Sequence, residues 1–166
     1  MKVLLGVVLV ATCVLATGCG DDNSTAPSAA PIVFTAQLRP ANEVPPVTNA
    51  ESGGSGLVQI TFDMTASPTA SFHIQLTGFP SGTTIVGAHI HPGAAGVNGG
   101  VVVNTGLTAA SPLALTESIT SFNATNITMT AQTAQAIINN PAGFYFNVHS
   151  PLNPGGVARG QLVRIQ

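Results

Sequence analysis

The stretch "TIVGAHIH" (84–91) decides how this chain folds. Successive side chains of an extended strand point to opposite faces, and residues two apart share a face about 6.6 Å apart along the chain. Val86, Ala88 and Ile90 therefore fall on one side, and His89 and His91 on the other. The apolar trio belongs in a core, which directs the two imidazoles outward. The same alternation runs through "GFYFNVHS" (143–150), with Phe144, Phe146 and Val148 facing in and Tyr145, Asn147 and His149 opposite. In "SFHIQL" (71–76), Phe72, Ile74 and Leu76 face in, while His73 and Gln75 do not. All four histidines of the chain thus fall on outward faces of strands with one buried side.

Outward from these segments, the composition agrees with strands and turns. Of 166 residues, 45% are hydrophobic and only 6% charged, with 18 Gly and 12 Pro. Thr, Ser and Asn carry most of the polarity, and the Lys/Glu pairs of exposed helices are nearly missing. Further extended runs stand at "IVFTAQL" (32–38), "GLVQITFDM" (56–64), "GVVVNT" (100–105) and "ARGQLVRIQ" (158–166). The clusters "SGGSG", "GFPSG", "PGAAGVNGG" and "PLNPGG" punctuate them. One helix is expected near residues 130–139, in "TAQTAQAIINNP": Thr130 can cap it, Ala134, Ile137 and Ile138 form an apolar stripe, and Asn140–Pro141 stops it. Seven or so strands at this spacing predict an all-β, antiparallel sandwich or barrel of immunoglobulin-like size.

The first residues read as a targeting segment. Lys2 precedes the apolar run "VLLGVVLVATCVLA", which is short for a bilayer span, basic at its start and ends in small residues. Residues 1–18 are read as a signal peptide. Ala16-Thr17-Gly18-Cys19 resembles a bacterial lipobox, with the usual Leu one position early at Leu15. The resemblance implies cleavage before Cys19, lipid on its thiol, and anchoring of the mature chain to the membrane. Gly20 in place of Asp permits the outer membrane if the host is Gram-negative. Residues 19–31 then form a polar tether, and 32–166 the folded domain. The chain's two cysteines, Cys13 and Cys19, are both spent before the fold begins, so it has no disulfide and no thiolate ligand.

Charge and motifs exclude several functions. Four basic against six acidic residues give a formal net charge of −2, with no patch to hold nucleic acid. No two acids are spaced for shared acid–base work. Ser150 is adjacent to His149, and adjacent strand residues face opposite ways. "HPGAAGVNGG" lacks the Lys and the strand–helix setting of a phosphate loop. Two or three neutral imidazoles converging without thiolate suit copper or zinc. His89, His91 and His149 are the candidate ligands; His73 joins them if the turn "LTGFPSGTT" makes a hairpin that sets it across from His89. The competing reading is a wet strand face that simply carries histidine.

Several segments together resemble the CHRD domain, the module repeated in chordin and found singly in bacterial secreted proteins. They are "FTAQLRPANEVPPV" (34–47), "GAHIHPGAAGVNGGVVV" (87–103), "TAQTAQAIINN" (130–140) and "FYFNVHSPLNPGGVARGQL" (144–162). The resemblance implies an immunoglobulin-like sandwich and supplies no general activity. A fainter likeness is to Cu/Zn superoxide dismutase, which also carries an H-x-H pair, a later V-H, and an Arg before its last strand. It implies a dismutase-like sandwich and a copper site at His89, His91 and His149, with Arg159 near it. With no histidine between His91 and His149, the bridging imidazole and zinc loop have no counterpart. Arg159 reads first as a structural guanidinium bonding loop carbonyls or Glu43. Tyr145, Asn147 and Glu43 are the other residues expected around the histidines, Glu43 as a hydrogen-bond acceptor in the Pro-stiffened "NEVPP". The expected function is an envelope-anchored binding module that takes copper or zinc. The alternatives are a structural or adhesive domain without metal and a dismutase-like copper enzyme.

Overall fold

The computed structural model describes residues 30–166 except Glu117. The signal segment, Cys19 and all but the end of the tether lie outside the described residues. The described chain runs β1 (Ile32–Leu38), β2 (Ser55–Asp63), β3 (Thr69–Thr77), β4 (Thr84–Ile85), β5 (Gly87–Pro92), β6 (Val103–Asn104), β7 (Leu113–Ala114) and β8 (Ile119–Thr128). One helix, α1 (Ala131–Asn139), is followed by β9 (Phe144–His149), β10 (Ala158–Gln161) and β11 (Val163–Arg164). The fold is an all-β sandwich of antiparallel sheets, ordered β11-β1-β2-β3-β8 and β10-β9-β5-β6, with β4-β7 as a small ribbon.

Alternation builds the core. Phe34, Ile60, Phe62, Phe72, Ile74 and Leu76 face inward from the five-stranded sheet; Ala88, Ile90, Phe146 and Val148 meet them from the four-stranded one. The rings of Phe72 and Phe146, 5.7 Å apart, join the two layers. Phe34 and Phe62 pack at 4.9 Å. Helix α1 forms where its pattern predicts: Thr130 Oγ1 accepts from the Thr133 N–H, and Ala134 and Ile137 are buried in the same core.

The last strand pair closes one side of the sandwich. β10 pairs with β9, and after Leu162 the chain changes sheets so that β11 pairs with β1. Arg39 bridges Arg159 across the corner. Gly160 makes this crossing fit, because a Cβ there would lie 2.1 Å from the Gln37 carbonyl oxygen. The run "ARGQLVRIQ" is thus two short strands in different sheets.

Three sequence expectations change. "TIVGAHIH" breaks at Val86, so Ile85 rather than Val86 is the core residue before Ala88 and Ile90. Only Val103–Asn104 of "GVVVNT" forms a strand. β8 was not expected: its "ITSFNATNIT" buries only Ala124 fully, as an edge strand can, and a bulge opposite Ala70–Phe72 breaks its period. Phe146→Ala is expected to lower unfolding free energy by about 3–5 kcal/mol, the range for emptying an aromatic core site; equilibrium urea denaturation measures it.

Candidate metal site

The histidines reach their positions through strand register. β9 lies between β5 and β10, pairing Gly87 with His149, His89 with Asn147, and His91 with Tyr145. On the far side of β9, Arg159 pairs with Asn147. His89, His91, Tyr145, Asn147, His149 and Arg159 thus share the face of the four-stranded sheet that points away from the core. That face is only partly wet. Irregular segments cover much of it, leaving His91 6% and Arg159 1% exposed, with Tyr145 and Asn147 also buried, while His89 and His149 are half-buried. The outward cluster expected from alternation is therefore a second, polar interior beneath loops. Alternation gives the face and contains nothing about its cover.

His89, His91 and His149 come together. One ring nitrogen from each lies within 4.8 Å of the other two. Ring centroids are 4.9 Å apart for His89–His149, 5.6 Å for His89–His91 and 6.0 Å for His91–His149. Gly87 supplies the room: a Cβ there would lie 2.9 Å from His89 Cε1 and 3.4 Å from His149 Cδ2.

His73 does not belong to the cluster. β3 pairs with β2 and β8 in the other sheet, and the turn after it crosses between sheets instead of forming a hairpin with β5. His73 is exposed and donates from Nδ1 to Asn123 Oδ1 at 2.6 Å.

Backbone carbonyls set the tautomers of two rings. His91 Nδ1 lies 2.9 Å from the Gly99 oxygen, and His149 Nδ1 3.0 Å from the Pro154 oxygen. A carbonyl oxygen only accepts, so each Nδ1 carries the proton and each Nε2 keeps its lone pair free. Those two Nε2 atoms and His89 Nδ1 are buried without a hydrogen-bond partner. Burial pushes the His89 pKa down to about 4, helped by the neighbouring His149 and His91 charges. Burial also lowers His91 and His149, against the opposing pull of the Gly99 and Pro154 bonds. The three rings are neutral at neutral pH, the state that coordinates metal.

The donor set fits a metal ion. Orphaned lone pairs in a buried polar site are costly unless something binds them. Nitrogens on one ion at about 2.0–2.1 Å can be no more than about 4.2 Å apart. That ceiling belongs to opposite ligands, and tetrahedral ones are about 3.4 Å apart, so donor atoms within 4.8 Å of one another would have to close by about 0.6–1.4 Å.

Around the cluster, Tyr145 stacks on His91 at 5.0 Å and 6° between planes, and the Arg159 guanidinium sits 4.3 Å from the Tyr145 centroid. Arg159 Nη1 donates to Asn98 Oδ1 at 2.8 Å, so its partners are a loop amide and an aromatic face, where loop carbonyls or Glu43 were expected. The Glu43 carboxyl is buried, and Oε1 has no hydrogen-bond partner. Burial raises its pKa to about 7, while the Arg159 charge and the Asn147 amide draw it back. The sequence reading passed over Glu51, also buried, whose carboxylate accepts from Ser150 Oγ and Asn153 Nδ2.

An antiparallel sandwich that holds a three-histidine cluster partly covered by Gly- and Pro-rich loops is the class of domain these features define. The CHRD domain family model matches residues 34–162, and the chain belongs to that family. Comparison with curated proteins and with solved structures returned no match.

Glu43 sets a measurable pH dependence. Its folded pKa is above its ordinary 4.5, so the stability it contributes is present below pH 4.5 and lost as pH rises through about 7. Glu43→Gln stays neutral throughout. Its melting temperature relative to the wild type is therefore expected to climb between pH 4.5 and 7 and then level off, as thermal scans across that range can record.

Proposed function

We propose that this protein is an envelope-anchored CHRD module that binds copper, with zinc as the competing ion, through His89, His91 and His149. The observation that carries the reading is the convergence of three neutral imidazoles with unpartnered, buried nitrogens. Three nitrogen donors without thiolate or carboxylate suit both ions, and Cu²⁺ outranks Zn²⁺ at a given nitrogen site. Bound there, the metal supplies a Lewis-acidic, and for copper a redox-active, centre in an otherwise charge-poor domain. The chain's own residues orient the rings, keep them neutral and exclude water from His91. Lipid on Cys19 would hold the module at a membrane surface after export, the outer membrane in a Gram-negative host.

Tyr145 is a built-in reporter, because the chain has one Tyr and no Trp. Since Tyr145 stacks on His91, stoichiometric Cu²⁺ is expected to quench its fluorescence strongly, and Zn²⁺ to shift it little. His89→Ala/His91→Ala should abolish saturable quenching. Equal copper uptake by that variant and the wild type would mean that the histidines do not form the site and would favour the structural or adhesive domain.

The anchor is tested separately. Expression in a bacterial host with labelled fatty acid should give a labelled wild type and an unlabelled Cys19→Ser protein, read by gel fluorography. An unlabelled wild type would mean ordinary secretion.

A further inference from the structure

Two loops carry the carbonyls that orient His91 and His149, and neither loop is held by apolar packing. In "GAAGVNGGVV" (93–102), Val97 and Val101 are each about half exposed; in "SPLNPGG" (150–156), Leu152 is 57% exposed. What enters the interior beside each loop is a charged side chain. Glu51, in the turn Ala50–Gly53 whose Asn49 cap accepts from the Glu51 N–H, takes bonds from Ser150 Oγ and Asn153 Nδ2. Asn153 N–H in turn donates to Ser150 Oγ at 3.0 Å, and Pro154, next in the chain, presents its carbonyl to His149. Arg159 makes the matching connection on the other side. Its Nη1 holds Asn98 Oδ1, while Asn98 Nδ2 donates to the Val44 carbonyl at 2.9 Å. Gly99, the next residue, donates its N–H to the Tyr145 hydroxyl and accepts from His91 Nδ1.

We infer that Glu51 and Arg159 are the positioning residues of the histidine cluster, each pinning from behind the loop whose carbonyl sets the tautomer of one ring. Charge-assisted bonds suit the task, being shorter and about twice as strong as neutral ones. Arg159 is too buried to steer a dissolved anion. The value of this arrangement for a metal rests on the copper reading above, but the ring tautomers exist without metal and can be read in the apo-protein.

The experiment is ¹⁵N NMR of the histidine rings in apo-protein, with Cu²⁺ titration and thermal unfolding on the same samples. In the wild type, His91 and His149 carry the proton on Nδ1. Glu51→Ala is expected to mix the His149 tautomers, leave those of His91 unchanged, and weaken Cu²⁺ binding about 10–100-fold, the usual effect of losing a supporting partner. Glu51→Gln keeps an oxygen that can accept both bonds and should stay within about threefold of wild type. Arg159→Met should do the converse, mixing His91 and sparing His149. If Glu51→Ala or Arg159→Met fails to fold, Ser150→Ala and Asn98→Ala remove the same links at smaller cost. Variants that melt lower yet keep both tautomers and full copper affinity would overturn the inference, because stabilising charges alone predict that result. A wild type that binds no copper while the tautomers still respond selectively would remove the metal reading and leave the positioning role intact.

Discussion

A backbone carbonyl can accept a hydrogen bond and cannot donate one, and the histidine cluster depends on that asymmetry. Gly99 and Pro154 each confront an imidazole Nδ1 with such an oxygen, so the proton must sit there and the lone pair must sit on Nε2. Each ring is thereby fixed in rotation and in protonation. Desolvation adds to this by holding all three histidines below their ordinary pKa. The result is a set of unprotonated nitrogens facing one another, which is stable only if the electrostatic repulsion of imidazolium charges is avoided. Neutrality and convergence are parts of one constraint.

That constraint explains why the four-stranded sheet has two covered faces. Its inner face packs Ala88, Ile90, Phe146 and Val148 against the five-stranded sheet. Its outer face carries His91, Tyr145, Asn147 and Arg159, none of which is left to solvent. A chain with 6% charged residues nevertheless buries Glu43, Glu51 and Arg159, all on or beside this polar layer. Buried charges contribute little net stability and are costly when left half paired. Their concentration around one cluster is better explained by what they hold in place than by the stability of the fold. Arg159 illustrates the balance: one guanidinium nitrogen is bonded to Asn98, the planar group lies on Tyr145, and Nη2 has no partner.

The sandwich was legible in the sequence because its signals are local. Period-two alternation in 70–76, 87–91 and 144–149 needs only neighbouring residues to assign each side chain a face, and the apolar spacing with Thr130 and Pro141 does the same for α1. Two kinds of information were missing. Strand adjacency is non-local, and alternation alone cannot tell that β3 and β5 lie in different sheets, which is why His73 stood as a candidate beside His89. The cover over the histidines is made by Gly, Pro and Asn segments without periodicity, so its contacts follow from single hydrogen bonds such as Asn98 to Arg159. Glu51 was invisible for the same reason: its partners Ser150 and Asn153 are about a hundred residues away. β8 was lost because an edge strand rich in Ser, Thr and Asn buries too little to show a period.

The three rings are not equivalent, and the difference bears on how the cluster closes. His91 and His149 are each tied through Nδ1 to a carbonyl; among the described residues, His89 has no side-chain hydrogen bond, and it is Nδ1 that lacks a partner in its buried setting. A ring held at its far nitrogen can tilt only by stretching that bond, whereas a ring without such a tie moves within its rotamer well at small cost. The gap between the 4.8 Å limit and the closer approach that one ion requires is therefore most easily taken up by His89. Gly87, beneath it, leaves the space in which the ring can turn, and any larger residue there would press on His89 and His149 together. With two fixed donors and one adjustable donor, the fold would set the direction of a bound ion and the ion would set the final dimensions of the cluster.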